Sequence, residues 1–181
     1  WAVRLAARRC FDGDDDDSEA DDGDTKAAEA AEQAAEARTA HLLFLSRQEI
    51  EAVTVVDLLR RAGVEVCMAA LGPPSDSVVG SHGIGVRADA ALADVDGTAF
   101  DMIVLPGGMP GAAHLKDDAR VVEMLRRAGE RGSYLAAICA APSVLAHAGL
   151  LDGRAATSFP GFLDAQSTPG LQLSNAPVVI D

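Results

Sequence analysis

The feature that most constrains the fold is a compact apolar run that stops at a turn. Residues 101–105 (DMIVL) are followed at once by Pro106, Gly107 and Gly108. A short apolar run bounded by turn residues is typical of a strand that is buried on both faces. Such strands occur in parallel sheets covered by helices on each side, so the run predicts an α/β architecture.

Short strands alternate with amphipathic helices throughout residues 39–181. We predict strands at 41–45, 64–71, 101–105 and 134–138, and helices ending near 62 and spanning 117–128 and 140–148. The glycines within 78–91 predict a hairpin or a bent excursion at the sheet edge. Ligands of mainly parallel sheets bind beyond the carboxyl ends of the strands. The ends near residues 105–108 and 138–140 are therefore the candidate sites.

Charge and composition exclude several classes of protein. The net charge of −13 is concentrated in an acidic run at residues 12–24, which is typical of solvated, disordered chain. We predict that residues 1–38, acidic and then Ala/Glu-rich, form a disordered leader to a domain at 39–181. Without a basic patch we expect no nucleic-acid partner. Without an apolar stretch of about 18 residues we expect no membrane partner.

The cysteine content indicates a reducing compartment. Three scattered cysteines form neither a disulfide framework nor a zinc motif, so we expect no metal and an intracellular, cytoplasmic protein. Residues 1–11 are rich in Arg and free of acid, which leaves a plastid or a mitochondrion as alternatives.

Cys139 is the candidate reactive residue, because it stands where the strand at 134–138 turns into a helix. Free backbone N–H groups and the positive end of the helix dipole favour a thiolate there, and the thiolate is the nucleophilic form. The same location also suits a small buried thiol with no chemistry. Location alone leaves both interpretations open.

Neighbouring residues favour the reactive interpretation. The Gly107 and Gly108 turn lets backbone amides approach an oxyanion, and the Ala140 amide completes a candidate oxyanion hole beside the sulfur. Glu51, at the start of the first helix, points toward the same crevice if both helix starts share one sheet edge. A carboxylate at a helix start also needs no function, since it complements the dipole.

Three segments resemble one known family. Residues 49–63 (EIEAVTVVDLLRRAG), 105–115 (LPGGMPGAAHL) and 136–146 (AAICAAPSVLA) resemble, in order and spacing, signatures of the ThiJ/PfpI superfamily. They match its branch of Parkinson-disease-protein deglycases, which carry the DJ-1/PfpI domain. The resemblance covers residues 39–181. It departs from the family at the C-terminus, where the family continues further, so we expect a C-terminally truncated, partial domain.

The resemblance implies a flavodoxin-like three-layer sandwich with a mainly parallel sheet, incomplete at the C-terminus. It implies that Cys139 is a nucleophile in strained backbone geometry, that a protonated Glu51 donates to its sulfur, and that the Gly107, Gly108 and Ala140 segments bind the oxyanion. It also implies a homodimer without cofactor or metal, acting on small aldehydes. The activity is glyoxalase III-like or deglycase-like, converting methylglyoxal to a hydroxy acid.

Two further residues refine the resemblance. Ala140 stands where protease-like members have His, which disfavours a peptidase, and Phe159 stands where some deglycases have a His before Pro160. A Cys/Glu mechanism therefore replaces a Cys/His pair. The alternative function is a cysteine-based oxidative-stress sensor or chaperone without turnover. A truncated chain without activity is the third interpretation.

Overall fold

A seven-stranded sheet organises the part of the chain that the computed structural model describes, namely residues 2–5, 40–44, 48–73, 76–95 and 97–181. The strands of this part are β1 (Ala2–Leu5), β2 (Ala40–Phe44), β3 (Glu65–Ala70), β4 (Ser77–Val79), β5 (Gly85–Arg87), β6 (Ala90–Ala91), β7 (Met102–Leu105), β8 (Tyr134–Ile138), β9 (Ala155–Ala156), β10 (Gln172–Leu173) and β11 (Val178–Ile180). The central sheet has the order β11-β1-β8-β7-β2-β3-β6.

The central sheet is mainly parallel, as predicted. The strands β8, β7, β2, β3 and β6 pair in parallel, and β1 pairs antiparallel with β8 and parallel with β11. The carboxyl ends of β7 and β8 therefore meet at one edge, together with the start of the helix that follows β2. The turns at 105–108 and 138–140 are brought together there.

Helices cover both faces of the sheet. They are α1 (Glu49–Arg61), α2 (Gly111–Asp117), α3 (Ala119–Arg131) and α4 (Pro142–His147). Successive β7 residues alternate between two cores, since Ile103 and Leu105 pack with α3 and α4 whereas Val104 packs with α1. This period-two alternation buries the strand on both sides. The three-layer α/β sandwich is confirmed.

The helix α3 shows why the local sequence folds as it does. Its predicted stripe of Val121, Val122 and Leu125 is buried. Asp118 caps its start by accepting the Arg120 N–H at 2.9 Å, a contact that contributes about 1 kcal/mol. Gly132 ends it with φ of 84°, a backbone conformation that glycine adopts without strain. The helix ends three residues beyond the predicted boundary.

The strand β1 departs from the predicted disordered leader. Its four residues lie within residues 1–38 yet pair with β8 along its outer edge. In this pairing the backbone N–H and C=O groups of β1 and β8 satisfy one another. Residues 6–39, including the Ala/Glu-rich segment, lie outside the described residues. The domain boundary at 38/39 stays a prediction.

The predicted hairpin within 78–91 is confirmed as the antiparallel pair β4 and β5, which lies outside the central sheet. Its turn, residues 80–84, folds back onto the start of α1, where Glu49 receives the His82 N–H. Among the described helices, none combines the length and hydrophobicity that crossing a bilayer requires.

Candidate active site

Cys139 occupies a strained elbow between β8 and α4. Its φ is +60°, which makes it the single non-glycine residue with positive φ in the described ranges. A non-glycine residue in this conformation costs about 1–3 kcal/mol and persists only where surrounding contacts enforce it. Here the Phe159 N–H donates to the Cys139 carbonyl at 2.8 Å, and the Ser143 hydroxyl donates to the Ala140 carbonyl at 2.7 Å. The elbow is thus held from both sides.

The sulfur of Cys139 is half-buried among polar groups. The backbone N–H groups of Gly108 and Ala140 hydrogen bond to it, and so does the Glu51 carboxyl. Burial raises the pKa of the Cys139 thiol, and the charge and hydrogen bond of Glu51 raise this pKa further, whereas the two N–H groups lower it. The net direction is upward. The two backbone N–H groups favour the thiolate, as the sequence predicts, but burial and the Glu51 carboxylate outweigh them.

Glu51 lies where the sequence predicts it. The Gly107 N–H donates to the Glu51 Oε2 atom at 2.7 Å, and the Glu51 carboxyl also forms a hydrogen bond with the Cys139 sulfur. The Glu51 carboxyl is therefore within reach of the thiol proton, and transfer of that proton to the carboxyl would leave a thiolate on Cys139. The arrangement can generate a nucleophile without a histidine.

Gly107 and Gly108 have different roles from each other. A Cβ at Gly107 would lie 2.8 Å from the Cys139 Cβ and 2.9 Å from the Ala140 nitrogen, so only glycine fits against the elbow. Its N–H is bonded to Glu51, which differs from the predicted oxyanion role. Gly108, with φ of 81°, turns its own N–H toward the sulfur. Gly108 and Ala140 remain the candidate oxyanion donors.

Sequence reasoning missed Glu49. Only 6% of this residue is exposed, yet it carries a carboxylate whose pKa falls to about 2. The causes are its own backbone N–H, then the His82 N–H and ring, and the Ile84 N–H, which together outweigh desolvation. The Glu-Ile-Glu spacing places both acids in the first turn of α1 but does not show which one faces the thiol. The contact depends on how the hairpin folds back.

Three other residues of the described ranges form no hydrogen bond with the Cys139 thiol group. Phe159 is 51% exposed and its ring lies edge-on to that of Phe162. His147 is the exposed last residue of α4. Cys67 packs against the main core, and burial raises the pKa of its thiol, as expected for a structural cysteine. In the described ranges, no three His, Cys, Asp or Glu side chains cluster as a metal site would.

Cavity size does not mark the site. A cavity of about 400 Å³ lies at the carboxyl end of β3, lined by the β4 strand and by Gly111, His114 and Leu115 of α2. Neither Cys139 nor Glu51 contributes to its wall. The strained backbone and the hydrogen bonds around Sγ identify the reactive centre more directly, because they are features that packing alone does not require.

Known proteins are similar to this chain in sequence and in fold. Protein DJ-1 homolog A of Arabidopsis thaliana is 39% identical over 118 residues, which are 65% of this chain and 30% of that protein. Deglycase PfpI of Pyrococcus furiosus is 35% identical over 144 residues, covering 77% and 84% respectively. The structure of oxidized Toxoplasma gondii DJ-1 superposes with a TM-score of 0.65 at 34% identity, covering 75% of this chain and 82% of that one.

These relatives differ in length, and this chain spans less than a third of the plant protein. The flavodoxin-like fold is nevertheless shared with the solved structure. A family model described as the DJ-1/PfpI family also matches residues 37–181, which include every residue of the elbow and its surroundings. On these grounds the chain belongs to the DJ-1/PfpI family.

Proposed function

We propose that this chain is a cofactor-independent cysteine enzyme of the deglycase type that converts small oxoaldehydes, such as methylglyoxal, to hydroxy acids. One observation carries the proposal: the Cys139 sulfur is hydrogen bonded to a carboxyl and to two backbone N–H groups at the same time. The sulfur is the nucleophile, the carboxyl is the proton acceptor and the two N–H groups are the oxyanion donors, and all of them are in direct contact. The relative named deglycase supports the same reaction class.

The first step forms a carbon–sulfur bond. The Cys139 proton passes to Glu51, and the thiolate adds to the aldehyde carbon of methylglyoxal. The carbonyl electron pair moves to oxygen, giving a hemithioacetal oxyanion. We expect the N–H groups of Gly108 and Ala140 to stabilise this charge, because they hydrogen bond to the sulfur and the oxyanion lies two bonds from it.

The second step moves a proton between neighbouring carbons. Glu51 returns the proton that it took from Cys139 to the oxyanion. It then removes the proton from the former aldehyde carbon while the ketone oxygen gains a proton, which gives an enediol. Protonation of the adjacent carbon then gives a thioester of lactate, and water hydrolyses the thioester to lactate and free thiol. The aldehyde carbon is oxidised while the ketone carbon is reduced, so no external oxidant or reductant is needed.

The test is lactate formation from methylglyoxal, measured for the wild type, Cys139→Ser and the matched variant Cys67→Ser. Loss of the nucleophile should reduce the rate about 100-fold or more, since the hydroxyl is a far weaker nucleophile than the thiolate. Cys67 lies in the core away from the elbow, so its variant should keep the wild-type rate. Equal rates for Cys139→Ser and the wild type would refute the mechanism.

An oxidation sensor is the second candidate function. The solved structure of Toxoplasma gondii DJ-1 is that of the oxidized protein. Two peroxide molecules would convert the Cys139 thiol to a sulfinate and release two waters, and the N–H groups of Gly108 and Ala140 would then bind sulfinate oxygens. Mass spectrometry after mild peroxide treatment tests this function. Selective oxidation at Cys139 without methylglyoxal consumption would favour the sensor over the enzyme.

The quaternary state and the compartment belong to the same proposal. The helix α1 exposes Ile50, Val53 and Leu58, apolar side chains that a second copy of the chain would cover in a homodimer. Light scattering of the purified chain measures this, and a monomer mass would contradict it. A reaction that requires a reduced thiol fits a cytoplasmic location.

A further inference from the structure

A buried carboxylate remains that the proposed reaction does not use. Glu49 is the first residue of α1 and lies two residues before Glu51. Burying a carboxylate is unfavourable unless hydrogen bonds replace its water. The structure provides several such bonds at this one residue, although the reaction calls for no charge there.

The hydrogen bonds of Glu49 come mainly from the turn between β4 and β5. The His82 N–H donates to its Oε1 atom at 2.9 Å, the Ile84 N–H also donates to the carboxylate, and the His82 Nδ1 atom lies 3.4 Å from Oε2. Gly80 allows the turn to come this close, because a Cβ there would collide with the Glu49 carboxyl. We call this arrangement of Glu49 with residues 80–84 the hairpin clasp.

The clasp fixes the end of α1 that carries Glu51. Gln48, at the N-cap, makes no side-chain capping bond, and the Glu49 carboxylate accepts its own backbone N–H instead. Side chains two residues apart on a helix point in different directions. Accordingly Glu49 reaches the hairpin, while Glu51 reaches Gly107 and the thiol on the other side. Rotation of this first turn would move both carboxyls together.

We propose that Glu49 is a positioning residue for the Cys139–Glu51 pair. The hairpin clasp holds the first turn of α1 in the rotation that places the Glu51 carboxyl between the Gly107 N–H and the Cys139 sulfur. Its effect on turnover rests on the proposed function. Its effect on the reactivity of the thiol does not, because the thiol can be probed without a substrate.

The experiment measures the rate of Cys139 alkylation by iodoacetamide against pH, with mass spectrometry reporting that cysteine alone, together with lactate formation. Two variants break the clasp from opposite sides: Glu49→Ala removes the carboxylate, and Gly80→Ala displaces it. Glu51→Ala and the double variant Glu49→Ala/Glu51→Ala complete a thermodynamic cycle. Asp57→Asn is the matched control, since Asp57 is an exposed α1 carboxylate paired with Arg61.

We expect Glu49→Ala and Gly80→Ala to shift the pH profile of alkylation to that of Glu51→Ala, and to reduce turnover about 100-fold, as a misplacement of about 1 Å can do. The double variant should match Glu51→Ala, since a misplaced carboxyl and a missing one are equivalent. Asp57→Asn should match the wild type in both assays.

Two results would overturn the proposal. One is a folded Glu49→Ala protein, checked by circular dichroism, whose alkylation profile equals that of the wild type. The other is an effect of Glu49→Ala that adds fully to that of Glu51→Ala, which indicates a general structural role. If Glu49→Ala does not fold, Gly80→Ala decides, and if neither folds, the clasp serves folding and the positioning role is refuted. Failure of the proposed function would give a different result. The wild type and every variant would then form no lactate, but the alkylation profiles of the clasp variants would still differ from that of the wild type.

Discussion

Substituting Ala for Gly107 should disable the site by pushing on the elbow directly. The new Cβ would lie 2.8 Å from both the Cys139 Cβ and the Ile138 carbonyl oxygen, and 2.9 Å from the Ala140 nitrogen. Ordinary contacts of a Cβ begin near 3.4 Å, so the turn and the elbow must separate by about 0.6 Å. Two of the three contacting atoms belong to the backbone, so a change of side-chain rotamer cannot relieve these contacts.

This displacement should lower both the stability of the protein and its rate of turnover. Overpacking of this kind destabilises a protein by about 1–3 kcal/mol, and about 1 kcal/mol lowers the Tm of a chain of this size by roughly 2–4 °C. The Gly107 N–H would also move away from the Glu51 Oε2 atom, which it now meets at 2.7 Å. Since a shift of about 1 Å at a reacting centre can reduce the rate about 100-fold, turnover should fall by more than the stability loss explains.

The assays are lactate formation and thermal unfolding by circular dichroism, with Gly72→Ala as the control. Gly72 follows β3, and a Cβ there would meet no atom within 4 Å. It therefore isolates the generic effect of replacing glycine by alanine. A Gly107→Ala protein with wild-type turnover and Tm would show that the turn and the elbow are not tightly packed, and would remove the structural basis of the oxyanion site.

Three further outcomes follow from individual side chains. Glu51→Gln should reduce lactate formation by about 10²–10⁴-fold, because the amide cannot accept the thiol proton, and an unchanged rate would exclude Glu51 as the base. Cys139→Gly should unfold about 2–8 °C above Cys139→Ala, because glycine removes about 1–2 kcal/mol of strain at positive φ, and equal Tm values would contradict the strain. Glu49→Gln should lower the Tm near neutral pH. A pKa depressed from 4.5 to about 2 stabilises the folded state above pH 4.5, so the difference from wild type should vanish as the pH falls toward 2, and a constant difference would contradict this origin.

Much of the fold can be predicted from local pattern, because each buried strand is an apolar run bounded by turn residues. The strand β8 has the predicted bounds, and β7 starts one residue late. By contrast, β1 has four residues and no neighbouring signal, and it exists through pairing with β8. Strand formation of this kind depends on tertiary partners that no local window contains. The short helix α2 was likewise not predicted.

The residues of the candidate site could be predicted from the sequence, but the direction of the Cys139 pKa could not. Cys139 and Glu51 follow from the turn and the motifs, and the structure brings both together with Gly108 and Ala140. The direction of the Cys139 pKa was not predictable, since it depends on burial and on the distance to a carboxylate from another helix. Glu49 was missed for a similar reason: its partners lie in the hairpin, far along the chain.

In the proposed reaction, the N–H groups of Gly108 and Ala140 can stabilise both the thiolate that forms after proton transfer and the oxyanion that follows it. In the resting state both donate to the Cys139 sulfur. When the carbon–sulfur bond forms, the sulfur loses its negative charge and the charge appears on the oxygen of the attacked carbon, two bonds from the sulfur. Donors fixed by the elbow and by the Gly108 turn need only a small reorientation to follow it, and donors that are preorganised in this way stabilise the developing charge without reorganising solvent.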